Sequence, residues 1–194
     1  MATGLRERKK RAVKTALEQT ALRLFMEKGY DDTTVEDITE AVDVSTRTFF
    51  RYFATKDEVL FAHQEERLAA IQEFFEQRPA GEPVSATVRD LVALFAEDLS
   101  SNRELLVVQA TVYAQARLPA GIIRLRQDEL IEAIAAGLAR QLGRGAGIRP
   151  IVLATATMCA IELAARAWFA GGQEGDLREM VLDSYGELIQ TLAI

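Results

Sequence analysis

One histidine, one cysteine and one tryptophan among 194 residues leave little material for acid–base, thiol or metal chemistry. His63 and Cys159 stand far apart, and the chain contains no His/Cys/Asp metal spacing, no glycine-rich phosphate loop after a strand and no nucleophile elbow. No catalytic residue, metal site or cofactor is therefore expected, and the protein is not expected to be an enzyme. A lone cysteine excludes an internal disulfide; its setting in Met158-Cys159-Ala160-Ile161 predicts a small buried hydrophobe. Long apolar runs are also scarce. The longest are broken by Glu or Arg short of a membrane span, and charged residues soon follow Met1, which predicts a cytoplasmic protein with no membrane partner. Prolines number only four, while Ala, Leu and Glu, which lose little rotamer freedom in a helix, abound. An all-α chain follows.

No lysine occurs after Lys56. The formal charge of −6 lies entirely in residues 61–194, because residues 1–60 carry 11 basic and 11 acidic side chains. Within that neutral segment the opening is strongly basic: Arg6, Arg8, Lys9, Lys10, Arg11 and Lys14 stand against Glu7 alone. Such a run suits a polyphosphate partner, and equally a solvated tail.

Apolar residues recur at three- and four-residue steps from about Glu7 to Glu27, where Gly29 supplies a C-terminal stop. Thr33 and Glu36 have capping-box spacing ahead of a second helix to Val42; Ser45 caps a third carrying Phe49, Phe50 and Phe53. Thr55 and Glu58 repeat the box and predict a long fourth helix to Arg78. Five more helices are expected near 84–100, 102–116, 121–142, 149–170 and 175–192, about nine in all.

Two short helices joined by the tight turn Val42-Asp43-Val44, the second offering Ser45, Thr46, Arg47 and Thr48 near free backbone amides, meet the demands of a helix-turn-helix reader of DNA. A merely structural αα-hairpin satisfies the same spacing. What separates the two is a resemblance: Gly29-Tyr30, Thr34, Ile38, Ala41, Val44-Ser45, Thr48-Phe49-Phe50-Arg51-Tyr52-Phe53 and Lys56 through Leu60 are similar to the N-terminal signature of the TetR family of regulators. It implies that Thr34, Thr48, Tyr52 and Lys56 meet phosphates, that Thr46, Arg47, Phe50 and Arg51 face base edges, and that Phe49 and Phe53 are core. Asp43 stands where that family usually has glycine, but aspartate tolerates the left-handed conformation. Phe50 replaces a frequent tyrosine, which removes one polar contact.

The expected organisation is a three-helix DNA-binding domain over 1–55, with a basic tail at 1–10, and a helical ligand-binding and dimerisation domain over 56–194. Two readers on a pseudo-palindromic double-stranded operator need a twofold interface. The last two helices offer apolar stripes for a homodimer seam: Ala154, Met158, Ile161, Ala165 and Trp168 on one, Leu177, Val181, Leu188 and Ile189 on the other; ordinary core explains them equally. The resemblance further implies a repressor released by a small-molecule effector. Gln109, Tyr113, Arg117, Arg124, Glu162 and Trp168 are the candidate pocket residues, and the run from Arg117 to Arg124 resembles regulators of acyl-CoA-like ligands. These arginines serve as well as surface partners of Asp128, Glu129 and Glu132, and Glu162 as a partner of Arg166. His63 fits packing, a hinge contact or a pH sensor. The alternative function is a DNA-binding regulator without a small ligand, controlled by a protein partner.

Overall fold

The apolar periodicity of the first segment is realised in α1 (Ala2–Lys28), whose Leu17, Ala21, Leu24 and Phe25 turn into a common core. The computed structural model describes residues 2–79, 81–115, 120–143 and 145–192, and among these it contains nine α-helices and no strand. After α1 come α2 (Val35–Val42), α3 (Thr46–Phe50) and a 3-10 turn (Asp57–Phe61); α4 (Gln64–Glu76), α5 (Val84–Ser101), α6 (Arg103–Gln115), α7 (Ala120–Leu142), α8 (Arg149–Ala170) and α9 (Leu177–Leu192) follow.

The helices form two compact units, residues 1–62 with 104–119, and residues 63–103 with 120–194. Lys56–Ala62 and α6 thus group with the N-terminal helices, where the sequence pattern put them with the C-terminal half. Packing accounts for this: Val59, Leu60, Val108 and Val112 lie in one buried cluster with Leu17, Ile38 and Phe49. In that unit Phe61 stacks on Tyr113 at 6.3 Å, and the Gln109 amide donates to the Leu60 carbonyl.

Instead of one helix from Thr55 to Arg78, the chain makes a 3-10 turn and a separate α4, with the break at Ala62-His63. Val59, Leu60 and Ala62 all lie in the core at this break. Both anticipated capping boxes are displaced. Thr33 is buried and its hydroxyl donates inward to the carbonyls of Leu24 (3.3 Å) and Gly29 (2.7 Å), so Thr34 and Asp37 form the box on α2. Glu58 accepts from the amide of Ala54 at 2.6 Å, not from Thr55.

In the second unit α7 packs on α8, α8 on α9, α9 on α5, and α4 on α7. Leu91, Val92, Ile134, Leu138, Ala154 and Val181 are fully buried there. Gly137 lies against the Phe75 ring, where a Cβ would overlap three ring carbons. Ala154, Met158, Ile161, Trp168, Leu177 and Val181, read above as a possible homodimer seam, are core of their own unit. The outward face of α8 is a different apolar stripe, Ile148, Val152 (53% exposed), Cys159 and Leu163 (60% exposed), near which Ile151 is also exposed. Cys159 is therefore exposed, not the buried hydrophobe its neighbours suggested. Because α8 is apolar on two faces, periodicity alone could not choose between them. By length and composition α8 is also apolar enough to cross a membrane, contrary to the expectation that every apolar run falls short; its buried face packs on α7 and α9.

Candidate nucleic-acid interface

Two N-caps and one left-handed residue set the geometry of the N-terminal reader. Asp43 closes α2 at φ 56, ψ 49, and its amide bonds back to the Glu40 carbonyl while that of Val44 bonds to Thr39. Ser45 then caps α3: its backbone is extended, its Oγ accepts from the Thr48 amide at 3.2 Å, and it lies 3.0 Å from the Thr48 hydroxyl. Aspartate's tolerance of the left-handed region is thus used where glycine would otherwise stand.

One side of α3 is anchored and the other is open. Phe49 is fully buried, with the Phe53 ring 5.4 Å away, while Arg47, Phe50 (55% exposed) and Arg51 are exposed and Thr46 and Thr48 are half-buried. Thr46, Arg47, Phe50 and Arg51 share one face at helical spacing, opposite Phe49. Phe50 stands edge-on to Phe49 at 5.5 Å, so an exposed aromatic ring is held in place by a buried one. The Arg51 guanidinium donates to the Tyr52 hydroxyl at 3.2 Å and lies over that ring.

Thr34 is exposed at the start of α2. Its amide and its hydroxyl both donate to the Asp37 carboxylate at 2.8 Å, and Lys28 donates to the same group at 2.8 Å. The Lys28 ammonium, then the two bonds from Thr34, hold the Asp37 carboxyl well below the usual carboxylate range. A depressed carboxyl contributes stability that is complete above the ordinary Asp value of about 3.9 and is lost as pH falls below it. Asp37→Asn is expected to lower the melting temperature at neutral pH and to flatten the acid limb of a circular-dichroism titration; an unchanged acid limb would show that another group carries it.

Lys56 sits differently from its expected partners. Its ammonium donates to the carbonyls of Tyr30 (2.7 Å) and Thr33 (2.8 Å) and lies 4.1 Å above the Tyr30 ring, tying down the turn between α1 and α2. Burial lowers its pKa, opposed by Asp31 and Asp32. Nothing in the sequence pattern signalled this clamp, because its acceptors are backbone atoms more than twenty residues away.

None of the described candidate ligand residues lines the cavity between α4 and α5. Gln109 and Tyr113 belong to the first unit's packing, bonded to Leu60 and stacked on Phe61. In the second unit Arg124 is exposed beside Asp128 (3.3 Å), and Glu162, whose pKa is raised by burial, has Arg166 at 3.8 Å. Trp168 is 1% exposed and donates to the Gly175 carbonyl at 3.3 Å. Arg117 lies outside the described residues. A cavity of about 350 Å³ between α4 and α5 is lined instead by Glu66, Arg67, Ile71, Leu94, Phe95 and Asp98, among others, with Arg67 and Asp98 paired at 2.7 Å. His63 is also on its rim. Among the described residues no group of three or more His, Cys, Asp or Glu side chains could hold a metal ion.

Residues 19–63 match the family described as "Bacterial regulatory proteins, tetR family". The HTH-type transcriptional regulator TcmR of Streptomyces glaucescens is 51% identical over 83 residues, 41% of this chain and 35% of TcmR. The match thus spans about a third of that relative's own length. Among solved structures, Thermus thermophilus FadR, a TetR-family repressor crystallised with lauroyl-CoA, aligns at a TM-score of 0.64 and 24% identity over 91% of this chain and 93% of that one. The fatty acid degradation regulator FadR of Bacillus halodurans aligns at 0.68 and 17% identity over 89% and 95%. At these identities the two structures share the fold.

Proposed function

We propose that the chain, whose residues 19–63 match the tetR family of bacterial regulatory proteins, is a DNA-binding transcriptional repressor, a homodimer on a pseudo-palindromic operator, released by a small apolar effector. The observation that carries this reading is the split character of α3: Phe49 is locked into the core while Thr46, Arg47, Phe50 and Arg51 form its open face. A rigid helix with polar, forked donors outward is what major-groove reading requires. In this reading Ser45, Thr48, Thr34 and Tyr52 position α3 on phosphates. Lys56 acts by holding the α1–α2 turn.

Several large apolar side chains left outward on α8, Ile151, Val152 and Leu163, with Ile189 exposed on α9, support the homodimer, because exposed apolar side chains gathered on an element suit an association surface. For the effector, the cavity between α4 and α5 is lined by Ala70, Ile71, Leu94 and Phe95 together with charged groups that are paired, Asp98 with Arg67 at 2.7 Å and Glu97 with Arg178 at 3.6 Å. An acyl-CoA-like effector rests on the likeness to the FadR folds and on the arginines of α7, Arg124 and Arg126, whereas the size and apolar side chains of this cavity favour a smaller apolar molecule.

Selection of bound duplexes from a randomised pool tests the proposal. Enrichment of an inverted repeat with half-sites about 34–36 Å apart, or a multiple of that, is the expected result. Arg47→Ala should relax preference at one base pair of each half-site by about 1–3 kcal/mol. A pool that yields no common sequence would overturn the reading.

A further inference from the structure

The geometry points to a second, sequence-independent DNA contact in this chain: the first three turns of α1 form a basic arm that grips phosphates beside the reader helix. This rests on the DNA-binding reading above and adds an element to it. Gly4, Arg8, Lys9, Lys10, Arg11 and Ala12 are all exposed, and the first fully buried residue of α1 is Leu17. The basic run divides at this boundary. Lys14 is turned to the protein, its ammonium donating to the Ala62 carbonyl at 3.3 Å, whereas no ion pair with a described residue engages Arg8, Lys9, Lys10 or Arg11.

These four cations are consecutive, so at about 100° per residue they point to all sides of the helix. A helix that is basic all round does not suit a flat anionic surface, which meets one side only. It also has a single large apolar residue, Leu5, before Val13, where insertion into a lipid interface requires an apolar face. It suits a channel with phosphates on two walls. Residues 4–11 span about 12 Å at a rise of about 1.5 Å per residue. Duplex DNA carries one charge per about 1.7 Å of axis, so roughly seven phosphate charges fall within that length. A helix about 10–12 Å across does not enter a minor groove about 6 Å wide, so the arm lies along the major-groove walls.

The charge pattern has a further effect. The first turn of α1 holds no acidic residue, and cations near a helix N-terminus oppose the macrodipole. Phosphates remove that repulsion, so the arm is more helical on DNA than off it.

The test compares the full chain with a variant carrying Arg8→Gln, Lys9→Gln, Lys10→Gln and Arg11→Gln, titrated against a mixed-sequence duplex of about 30 base pairs between about 50 and 200 mM KCl. Because these side chains touch no core and oppose the helix macrodipole, the melting temperature should not fall. The slope of log K against log salt is expected to shrink by about 3 to 4, since each phosphate contact contributes about 0.9. The pattern of bases selected from a random pool should stay the same. A wild-type chain that binds duplex with the same slope as the variant would overturn the arm and leave the reader intact. A wild-type chain that binds no duplex would overturn the DNA-binding reading and the arm with it. Tighter binding of the wild type to phosphatidylglycerol vesicles than to duplex, lost in the variant, would assign the arm to membranes and overturn it as well.

Discussion

Leu163→Asp is expected to turn the proposed dimer into a monomer and to weaken binding to its proposed operator by about 10²- to 10⁴-fold, the gain normally made when two linked readers bind together. Leu163 is 60% exposed within its own chain, so the substitution removes little from the protomer's core. In a twofold seam built on α8 it would place a carboxylate against an apolar partner face, and its symmetry mate with it. Burying such a charge without a partner is costly, and the seam would open instead. Light scattering gives the oligomeric state, and helix content checks that each protomer still folds. A Leu163→Asp protein that remains dimeric would remove the α8 stripe from consideration. Ala164, the next residue, serves as a contrast: it is buried, and a charge there should unfold the unit, not just separate its copies.

Gly137→Ala sets two effects of opposite sign against each other. In the interior of a helix, alanine is favoured over glycine by about 1 kcal/mol. At this position, however, the added methyl would overlap three carbons of the Phe75 ring, which is held on α4 next to Phe74. Overpacking of this kind costs about 1–3 kcal/mol, and with several atoms in conflict the upper part of that range should apply, leaving the variant less stable. The sign should reverse when the ring is removed: in a Phe75→Ala background the same methyl fills part of the cavity, and the double variant should be more stable than Phe75→Ala alone. Denaturant melts of the four proteins complete the cycle. Stabilisation by Gly137→Ala in the wild-type background would mean that α4 and α7 are not pressed together there.

The features that sequence reading recovered are those fixed by near neighbours. Ser45 caps α3 because its Oγ needs only the amide three residues on, and the turn at Asp43 needs only a residue able to adopt positive φ. The burial of Phe49 and Phe53 is what the family resemblance implied. Where distant groups decide, the sequence pattern went astray. Thr33 and Thr34 are interchangeable as caps until Leu24 and Gly29 claim the hydroxyl of Thr33. A continuous helix through Ala62 is as good a local solution as a 3-10 turn and a new start, so spacing along the chain does not reveal the break. The two faces of α8 are both apolar, so only the packing of α7 and α9 reveals which one is left outward. The effector site was the least legible. Arg124 and Glu162 have partners one helical turn away, and no pattern along the chain pointed to a cavity between α4 and α5.

The anchoring of Lys56 acquires a second meaning once the chain's amines are considered together. All five lysines, Lys9, Lys10, Lys14, Lys28 and Lys56, lie in the N-terminal unit, and the remainder of the chain carries its positive charge only on arginine. Acylation neutralises an ammonium and leaves a guanidinium untouched. Any amine-directed modification would thus alter the N-terminal unit without changing the charge of the other. It would begin at the open side chains of Lys9 and Lys10 and reach Lys56 only after two carbonyls had let go of it.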